Sequence, residues 1–558
     1  REVVFTGFGE GASPLKSGQL FNSLRWGPDN RIYVAAAGNG GLVRRPDQPE
    51  SAAIDLQDKD LSFDPHSFDI RLETGTAQYG QSFDAFGRRF VSSNHNPVRV
   101  PRYEYRYAEA NPLVEFPTGL VDIVDPATEL FRISPEEPWR VMRINMRASG
   151  RARGRVEAGG KPSGYFTSAC GVTIYLGDAL PEKFRGSAFV AEPANNLVHR
   201  AVIEEHGTGF RGKRPEEEEG IEFVRSEDIW FRPVNFANAP DGTLFIADMY
   251  RELIEDPQTI PEEIVQNLNL SAGNDMGRIY RVIPADGFEQ PEPPNLSTVS
   301  ANTLALLLEH PNGWYRNTAA RLLYERQDIK VVPTLEKVAR ESARPEARVA
   351  ALYALQGLQR LDPGLLVSAA RDDDAHVREH AVRLAEMLWA SPGLEEDQKE
   401  SLREHVVRLT ADPSARVRYQ AAFTLGIVGG EDRDEALLAL IERDAEDDLV
   451  RTAVLCSVGD EASDLFSAVT SREEFRSGAA GQIFIAQLIE FIGARGKAAE
   501  IARVVSFLSS HSELDATLRW TNALGAGLDR ADLTLADADP EHRLDQLLSG
   551  ALRVARDP

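Results

Sequence analysis

The chain has 558 residues, too many for one ordinary hydrophobic core, so its length predicts at least two domains. Hydrophobic residues make up 42% of the chain and charged residues 27%, which indicates neither a disordered nor a membrane-embedded protein. The 87 acidic and 62 basic residues give a net charge of −25, which would repel a phosphate backbone and argues against nucleic acid as a partner.

The two ends of the chain and its two cysteines guide our expectations about its boundaries and about disulfides and haem. Residue 1 is Arg, and "REVVFTGF" reads as a strand without a charged-then-apolar leader, so we expect an internal piece of a longer protein with no targeting signal of its own. The far end, Asp557-Pro558, resembles the repeat-joining loop Asp412-Pro413. With only Cys170 and Cys456, the chain has neither a disulfide framework nor a Cys-x-x-Cys-His motif for covalent haem.

A repeated strand pattern runs through the first half. Each copy has a turn containing Gly or Asn, a strand with a central aromatic residue, and then small or polar residues, as in "WGPDNRIYVAAAG", "FDAFGRRFVSSN", "FRGSAFVAEPANN" and "NAPDGTLFIADM". The aromatics Tyr33, Phe90, Phe189 and Phe245 lie one or two propeller-blade lengths apart. This spacing predicts a β-propeller over residues 1–285, incomplete at its N-terminus because four blades are few for closure.

Polar residues follow each aromatic strand, at the end where propeller loops share a funnel. We expect four groups there: Asn39; Asn94, His95, Asn96 and Arg99; Glu192, Asn195 and Asn196; and Asp248, Tyr250, Arg251 and Glu252. Carboxylate and amide oxygens suit Ca²⁺, and arginines suit a ligand that carries carboxylates. The alternative is that these residues are ordinary turn formers and loop ion pairs. We predict that "ADMYRE" contributes to the site through Arg251 or Asp248.

The second half contains a helical repeat. Arg316, Arg348, Arg378, Arg418 and Arg451 recur at intervals of 30 to 40 residues, and four of the five are followed three residues later by Ala. This pattern resembles the HEAT family of armadillo-like helix pairs and predicts an α-solenoid over residues 298–558, after a linker at 286–297. The repeats have no His or Cys cluster, so we expect a noncatalytic scaffold whose arginines bond loop carboxylates and whose surface binds a protein partner.

Three long motifs carry a family resemblance. They are "NSLRWGPDNRIY", "GYFTSACGVTIYLGDALPEKFRGSAFVAEPANNLVHR" and "FRPVNFANAPDGTLFIADMYRELIE", followed by "GRIYRV" and the helical repeats. Together they resemble the putative membrane-bound dehydrogenases of planctomycete-type bacteria, over almost the whole chain. That family joins an exported propeller, similar to glucose and sorbosone dehydrogenases, to HEAT repeats and a C-terminal cytochrome c. The resemblance implies a periplasmic oxidation of a sugar or alcohol, with pyrroloquinoline quinone and Ca²⁺ as cofactors and electrons passing to a haem domain outside this chain.

The resemblance also implies roles for individual residues. The position of the family's histidine base is Gln19 here, and glutamine cannot take a proton from a hydroxyl, so His95 and His66 are the candidate bases. The loop Ser92–Pro97 corresponds to the calcium-binding loop, which makes Asn94 and Asn96 candidate metal ligands with Glu192 and Asp248. The candidate cofactor contacts are Arg99, Gln78, Gln81, Arg251 and Asn196.

The sequence is compatible with three functions. The first is a quinoprotein-like oxidoreductase, which needs a base, a calcium ion and an arginine that reaches the quinone carboxylates. The second is a noncatalytic carbohydrate- or protein-binding propeller on a HEAT scaffold, which the missing histidine favours. The third is a calcium-dependent, lactonase-type hydrolase on the same propeller plan.

Overall fold

The structure, a computed structural model, describes residues 2–10, 20–255, 257–292 and 295–545, together with residue 549. Gln19 and Asp557-Pro558 lie outside the described residues. Strands occupy the first half and helices dominate the second, which confirms the mixed β and α architecture predicted from the sequence.

The strands of the first half are short and follow one another closely along the chain. In order they are β1 Thr6–Phe8, β2 Asn22–Trp26, β3 Ile32–Ala35, β4 Gly41–Arg44, β5 Ile54–Asp55, β6 Lys59–Phe63, β7 Ile70–Thr74, β8 Gln81–Phe83, β9 Arg89–Ser93, β10 Asn96–Pro101, β11 Leu120–Asp122, β12 Cys170–Ile174, β13 Ala188–Glu192, β14 Leu197–His206, β15 Gly209–Lys213, β16 Val224–Arg225, β17 Pro233–Asn238, β18 Leu244–Asp248 and β19 Arg278–Val282.

These strands form antiparallel sheets in which neighbours in sequence are mostly neighbours in space. The sheets are β2-β3-β6-β7, β8-β9-β10-β11, β12-β13-β14-β15 with β16 paired to β14, β17-β18-β19, and the smaller β1-β4-β5. The aromatic strands predicted from the sequence are β3, β9, β13 and β18, each the second strand of its sheet. The loops that follow them therefore leave corresponding ends of their sheets.

The first strands of successive sheets lie next to each other. β2 contacts β8, β8 contacts β12, and β12 contacts β17. Hydrogen bonds cross these junctions: Gln81 Nε2 donates to the Ser23 carbonyl at 2.6 Å, and Asn238 Nδ2 donates to the Ile174 carbonyl at 2.9 Å. The backbones approach so closely that a Cβ on Gly80 would lie 2.6 Å from the Gly171 nitrogen. Apolar residues of the sheets, including Phe90 and Phe189, fill the space between them.

Helices are few in the first half and continuous in the second. In order they are α1 Tyr105–Ala110, α2 Pro138–Ala148, α3 Glu262–Val265, α4 Ala301–Leu307, α5 Gly313–Arg326, α6 Val332–Glu341, α7 Pro345–Gly357, α8 Pro363–Ala369, α9 Ala375–Trp389, α10 Glu396–Leu409, α11 Ala415–Val428, α12 Arg433–Asp444, α13 Asp448–Ser457, α14 Ala462–Ser471, α15 Glu473–Ser477, α16 Ala479–Arg495, α17 Ala498–Ser510, α18 Leu514–Arg530 and α19 Leu535–Ala538. Within the described ranges, no helix is both long and apolar enough to cross a membrane.

The repeated arginines make one recurring bond. Each guanidinium donates to the backbone carbonyl six residues earlier, at 2.5 to 2.8 Å, for Arg316, Arg348, Arg378, Arg418 and Arg451. Arg476 makes the same bond to Thr470, although the sequence pattern did not single it out. Arg378 and Arg418 also bind the carboxylates of Asp412 and Asp444. The arginines therefore close the loop that precedes their own helix.

Two compact units divide the chain. One comprises residues 1–105 and 118–361, and the other comprises residues 106–117 and 362–558. Segment 106–117, between β10 and β11, thus packs with the helices from α8 onward. There Tyr107 is buried, and its hydroxyl donates to the Glu386 carboxylate at 2.9 Å and accepts from Gln420 Nε2 at 2.8 Å. The predicted domains, residues 1–285 and 298–558 with a linker at 286–297, stay a prediction.

Candidate functional site

Three of the predicted loops lie together in the first unit. We call residues 94–96, 192–196 and 248–252 the loop face; they follow β9, β13 and β18. The backbone nitrogen of Ala169 donates to the Asn94 carbonyl at 3.0 Å, and Asn195 Nδ2 donates to the Tyr165 carbonyl at 3.0 Å, so the segment 164–169 joins the first two loops. Arg232 joins the second loop to the third.

Glu192 is the carboxylate that fixes segment 164–169. It is fully buried and accepts from the Ser168 hydroxyl at 2.6 Å, from the Ser168 and Thr167 backbone nitrogens, and from Asn195 Nδ2 at 3.2 Å. Burial raises the pKa of Glu192 to about 7, although these donors pull it in the opposite direction. Glu192 therefore organises the loop face and carries a carboxyl that titrates near neutral pH.

Arg232 is buried and holds the other side of the loop face. Its guanidinium donates to the Pro193 carbonyl at 2.8 Å, to the Glu252 carbonyl at 2.6 Å and to the Arg251 carbonyl at 3.1 Å. Its backbone nitrogen donates to Asp248 Oδ1 at 2.7 Å. One planar cation thus fixes two loops through their backbone oxygens, a geometry that a lysine cannot reproduce.

Asp248 contributes one bonded and one unbonded oxygen. Oδ1 accepts from the Arg232 and Tyr250 backbone nitrogens, whereas Oδ2 is buried and has no hydrogen-bond partner among the described residues. Burial raises the pKa of Asp248. Tyr250 has a φ of +47° and donates its hydroxyl to Asp228 Oδ2 at 2.8 Å, while Arg278 lies 3.5 Å from the centre of its ring.

His95 is the histidine of the loop face. Its Nδ1 lies 3.2 Å from the Phe166 carbonyl, which can only accept, so Nδ1 is the donor in this bond. The side chain is half exposed, and Nε2 lies 3.7 Å from Glu157 Oε1. The Tyr165 hydroxyl donates to the other oxygen of Glu157 at 3.2 Å, and burial together with Glu157 raises the pKa of Tyr165 to about 12. His95 therefore turns Nε2, the nitrogen that does not bond the carbonyl, toward Glu157, which also binds the Tyr165 phenol.

His66 lies in a different place. It is in the turn between β6 and β7, after the third strand of its sheet, at the end opposite to the loops that follow second strands. Its ring packs 4.9 Å from Tyr324 of α5, whose hydroxyl donates to Asp64 Oδ2 at 2.9 Å. The structure brings His95, and not His66, to the loop face.

The remaining candidate side chains are mostly bound to the protein itself. Gln81 accepts from Arg89 Nε and donates to the Ser23 carbonyl, and Gln78 accepts from the Asn94 backbone nitrogen. Asn196, at φ +56°, donates to the Ile229 and Phe231 carbonyls and accepts from the Ser134 hydroxyl.

Asn96, Arg99, Arg251 and Asn39 complete the predicted set. Asn96 accepts from the Ser93 hydroxyl at 2.9 Å, and Arg99 pairs with Asp122 of β11 at 3.3 Å. Arg251 contributes its backbone carbonyl to Arg232. Asn39 lies in the loop between β3 and β4, half-buried.

The implied cofactors can be tested against these donors. The oxygens of Glu192 and Asn96 accept from protein groups, and no group of three or more His, Cys, Asp or Glu that could hold a metal ion is found among the residues described. The Gln81 and Asn196 side chains bond to protein partners, whereas Asp248 Oδ2 has no partner among the residues described and is an oxygen that could bind a cation. The expectation of calcium and quinone therefore rests on the sequence resemblance.

Sequence reasoning missed the helix that borders the loop face. Arg140 and Arg143 of α2 pair with Glu255 at 3.6 and 3.2 Å, and Arg140 also lies 3.3 Å from Glu137, which in turn binds Arg232. Arg140, Arg143 and Arg147 are spaced by three and four residues, which places them on one helix face. This spacing could have predicted the helix from the sequence. Glu157 carried no such signal.

The fold and the loop face define a mixed β and α protein with polar loops gathered at corresponding ends of its sheets. The chain belongs to the family described as a domain of unknown function (DUF7133), whose model matches residues 1–286, slightly more than half of the chain. No curated protein matches the chain.

Two crystal structures of engineered proteins, Northeast Structural Genomics Consortium targets OR329 and OR497, are similar to part of the chain. The first shares 18% identity with a TM-score of 0.20, covering 41% of this chain and 97% of the other. The second shares 15% identity with a TM-score of 0.25, covering 41% and 71%. Scores this low carry no argument about fold or function.

Proposed function

We propose that the loop face binds a sugar or alcohol and that His95 accepts a proton from its hydroxyl in an oxidation. The observation that carries this proposal is the orientation of His95, whose Nδ1 donates to the Phe166 carbonyl, so that Nε2 of this half-exposed side chain is the nitrogen able to accept a proton. A general base contributes roughly a hundred- to ten-thousand-fold to rate when it lies within hydrogen-bond reach of the hydroxyl. Glu157 offers a carboxylate acceptor for a neighbouring hydroxyl, and the Tyr165 hydroxyl holds this carboxylate in place.

We propose, as part of the same interpretation, that the architecture is a β-propeller followed by HEAT repeats. Successive sheets contact through their first strands, as propeller blades do around an axis, and this favours the propeller assignment. The recurring arginine bond and the alternating helices favour the HEAT assignment. The hydride acceptor would be the quinone, held with calcium; this cofactor, a cytochrome c partner and an exported location are implied by the resemblance and belong to the same proposal.

A noncatalytic saccharide-binding role is the second candidate. It is favoured because Glu192, Asn195, Asn196 and Arg232 are all bonded within the protein, which gives a rigid surface rather than a set of free catalytic groups. Both candidates place a polyhydroxylated ligand beside His95. They differ in whether turnover follows binding.

The test compares His95→Ala with His66→Ala in the full chain. Binding of a panel of sugars and alcohols is measured by calorimetry, and oxidation is measured with added calcium and pyrroloquinoline quinone. The oxidoreductase proposal expects turnover in the unmodified chain, loss of at least a hundred-fold in His95→Ala and little change in His66→Ala. Binding without turnover in the unmodified chain would favour the second candidate, and absence of binding would contradict both.

A further inference from the structure

The stretch from α2 into the following loop has a charge opposite to that of the chain. Residues 138–161 contain seven basic residues and one acidic residue, whereas the whole chain carries a net charge of −25. Three of the basic residues are already engaged: Arg140 and Arg143 pair with Glu255, and Arg147 donates to the Thr259 carbonyl at 3.1 Å. The other four lie in residues 149–161, which we call the arginine loop.

The cations of the arginine loop face solvent. Arg151, Arg153, Arg155 and Lys161 are exposed. Arg151 lies 3.8 Å from Glu263, but both side chains are about 70% exposed, and an ion pair this exposed and long contributes little. Four positive charges within eleven residues thus remain accessible to a ligand.

The arginine loop is fixed next to His95. Gly154, at φ +126°, lies so close to Arg147 that a Cβ there would be 2.6 Å from its Nε, which places the loop against the end of α2. Three residues later Glu157 contacts His95 at 3.7 Å and accepts from Tyr165. The exposed cations and the candidate base therefore border the same surface.

We infer that the ligand of the loop face is a short anionic saccharide whose carboxylate or sulfate groups bind Arg151, Arg153, Arg155 and Lys161. The inference rests on the proposed function and narrows its substrate class. Guanidinium groups bind carboxylate and sulfate through paired, charge-assisted hydrogen bonds, which suits a loop with three arginines. The hydroxyl groups of the same saccharide would lie at His95 and Glu157.

Screening by salt determines whether an anion responds to the local positive charge of the arginine loop or to the net negative charge of the whole chain. At 0.1 M salt the Debye length is about 10 Å, so an anion in contact with the arginine loop is attracted by its cations and little affected by acidic residues elsewhere. A long polyanion would extend over the acidic remainder of the surface and be repelled. The charge distribution therefore favours a short oligosaccharide over nucleic acid.

The test uses calorimetry on the full chain with oligosaccharides of equal length: a neutral one, a uronate and a sulfated one, with oligoglutamate of equal charge as a fourth probe. We expect the uronate, the sulfated oligosaccharide or both to bind about ten-fold more tightly than the neutral one at low salt, as several exposed ion pairs would give. The anion that binds more tightly shows whether the arginine loop recognises a carboxylate or a sulfate group. Added salt should remove the difference.

The variant Arg153→Gln/Arg155→Gln should lose the preference for anions and keep the affinity for the neutral oligosaccharide. The control Arg340→Gln/Arg360→Gln removes the same charge from exposed sites on and after helices α6 and α7 and should change nothing. Equal binding of neutral and anionic saccharides would overturn the inference and leave the proposed function standing. Oligoglutamate binding as tight as the uronate would overturn the saccharide assignment, and absence of any saccharide binding would overturn both.

Discussion

The ring of Tyr107 lies parallel to that of Phe423, with the ring centroids 3.9 Å apart and the planes 5° from parallel. Arg106 covers the other side of Tyr107 at 4.2 Å and pairs with Glu386 at 2.6 Å. Since Tyr107 belongs to the connection between β10 and β11, a segment from the strand-rich half of the sequence supplies part of the core of the second unit.

Tyr107→Phe should destabilise the second unit while keeping the ring stack. Removal of the hydroxyl leaves the buried Glu386 and Gln420 with one partner fewer, at a cost of about 1–3 kcal/mol. The unfolding midpoint in urea measures the effect. Tyr105→Phe is the control: it removes a tyrosine hydroxyl from the same helix and keeps the ring face that contacts Lys59, so we expect a smaller effect on stability. Equal midpoints for the two variants would contradict the assigned role of the hydroxyl.

Glu192 should make stability depend on pH between about 4.5 and 7. Its folded pKa, about 7, is above the unfolded value, so in this window the unfolded chain releases a proton that the folded chain keeps, and stability falls as pH rises. The loss approaches about 3 kcal/mol above pH 7. Glu192→Gln should flatten the stability profile measured by denaturant titration at several pH values.

Glu73 provides a comparison for that experiment. Burial raises its pKa to about 7 as well, and its partner is the Ser62 hydroxyl at 2.7 Å, on β6 and away from the loop face. Glu73→Gln should therefore flatten the same pH window without altering saccharide binding. A Glu192→Gln variant with the stability profile of the unmodified chain would contradict the raised pKa of Glu192.

Arg232→Lys should loosen the loop face. The guanidinium bonds to Pro193, Arg251 and Glu252 cannot all be made by one ammonium group, and the buried Glu137 would lose its planar partner. We expect a cost of about 3 kcal/mol and faster hydrogen exchange in residues 192–196 and 248–252. Arg225→Lys, at an exposed site on β16, is the control and should leave exchange unchanged.

Arg378→Ala should lower stability and leave ligand binding intact. The side chain binds Asp412 at 2.7 Å and the Asp372 carbonyl at 2.8 Å, and the variant leaves the buried Asp412 carboxylate without this cation, at a cost of about 3 kcal/mol. Thermal unfolding and calorimetry on the same preparation separate the two effects. A changed affinity in a folded variant would place Arg378 in the binding machinery.

Local patterns in the sequence were informative, and long-range pairings were not. The central aromatic residues identified β9 and β13, because a strand and its turn depend on residues close together in sequence. The arginine spacing identified the helical repeat for the same reason. The contact between His95 and Glu157, and the place of Tyr107 between α9 and α11, join residues far apart in sequence. No periodicity encodes such contacts, since they depend on how whole elements pack.

The arginine bond to the carbonyl six residues earlier bears on how the helical array can evolve. Each donor and its acceptor lie within one loop and the helix after it, as in Arg451 and Ala445, so the bond is complete without a neighbouring copy. A duplication or deletion of one whole helix pair therefore carries its own loop closure with it. Copy number can change by recombination, while the structure of each loop is inherited unaltered.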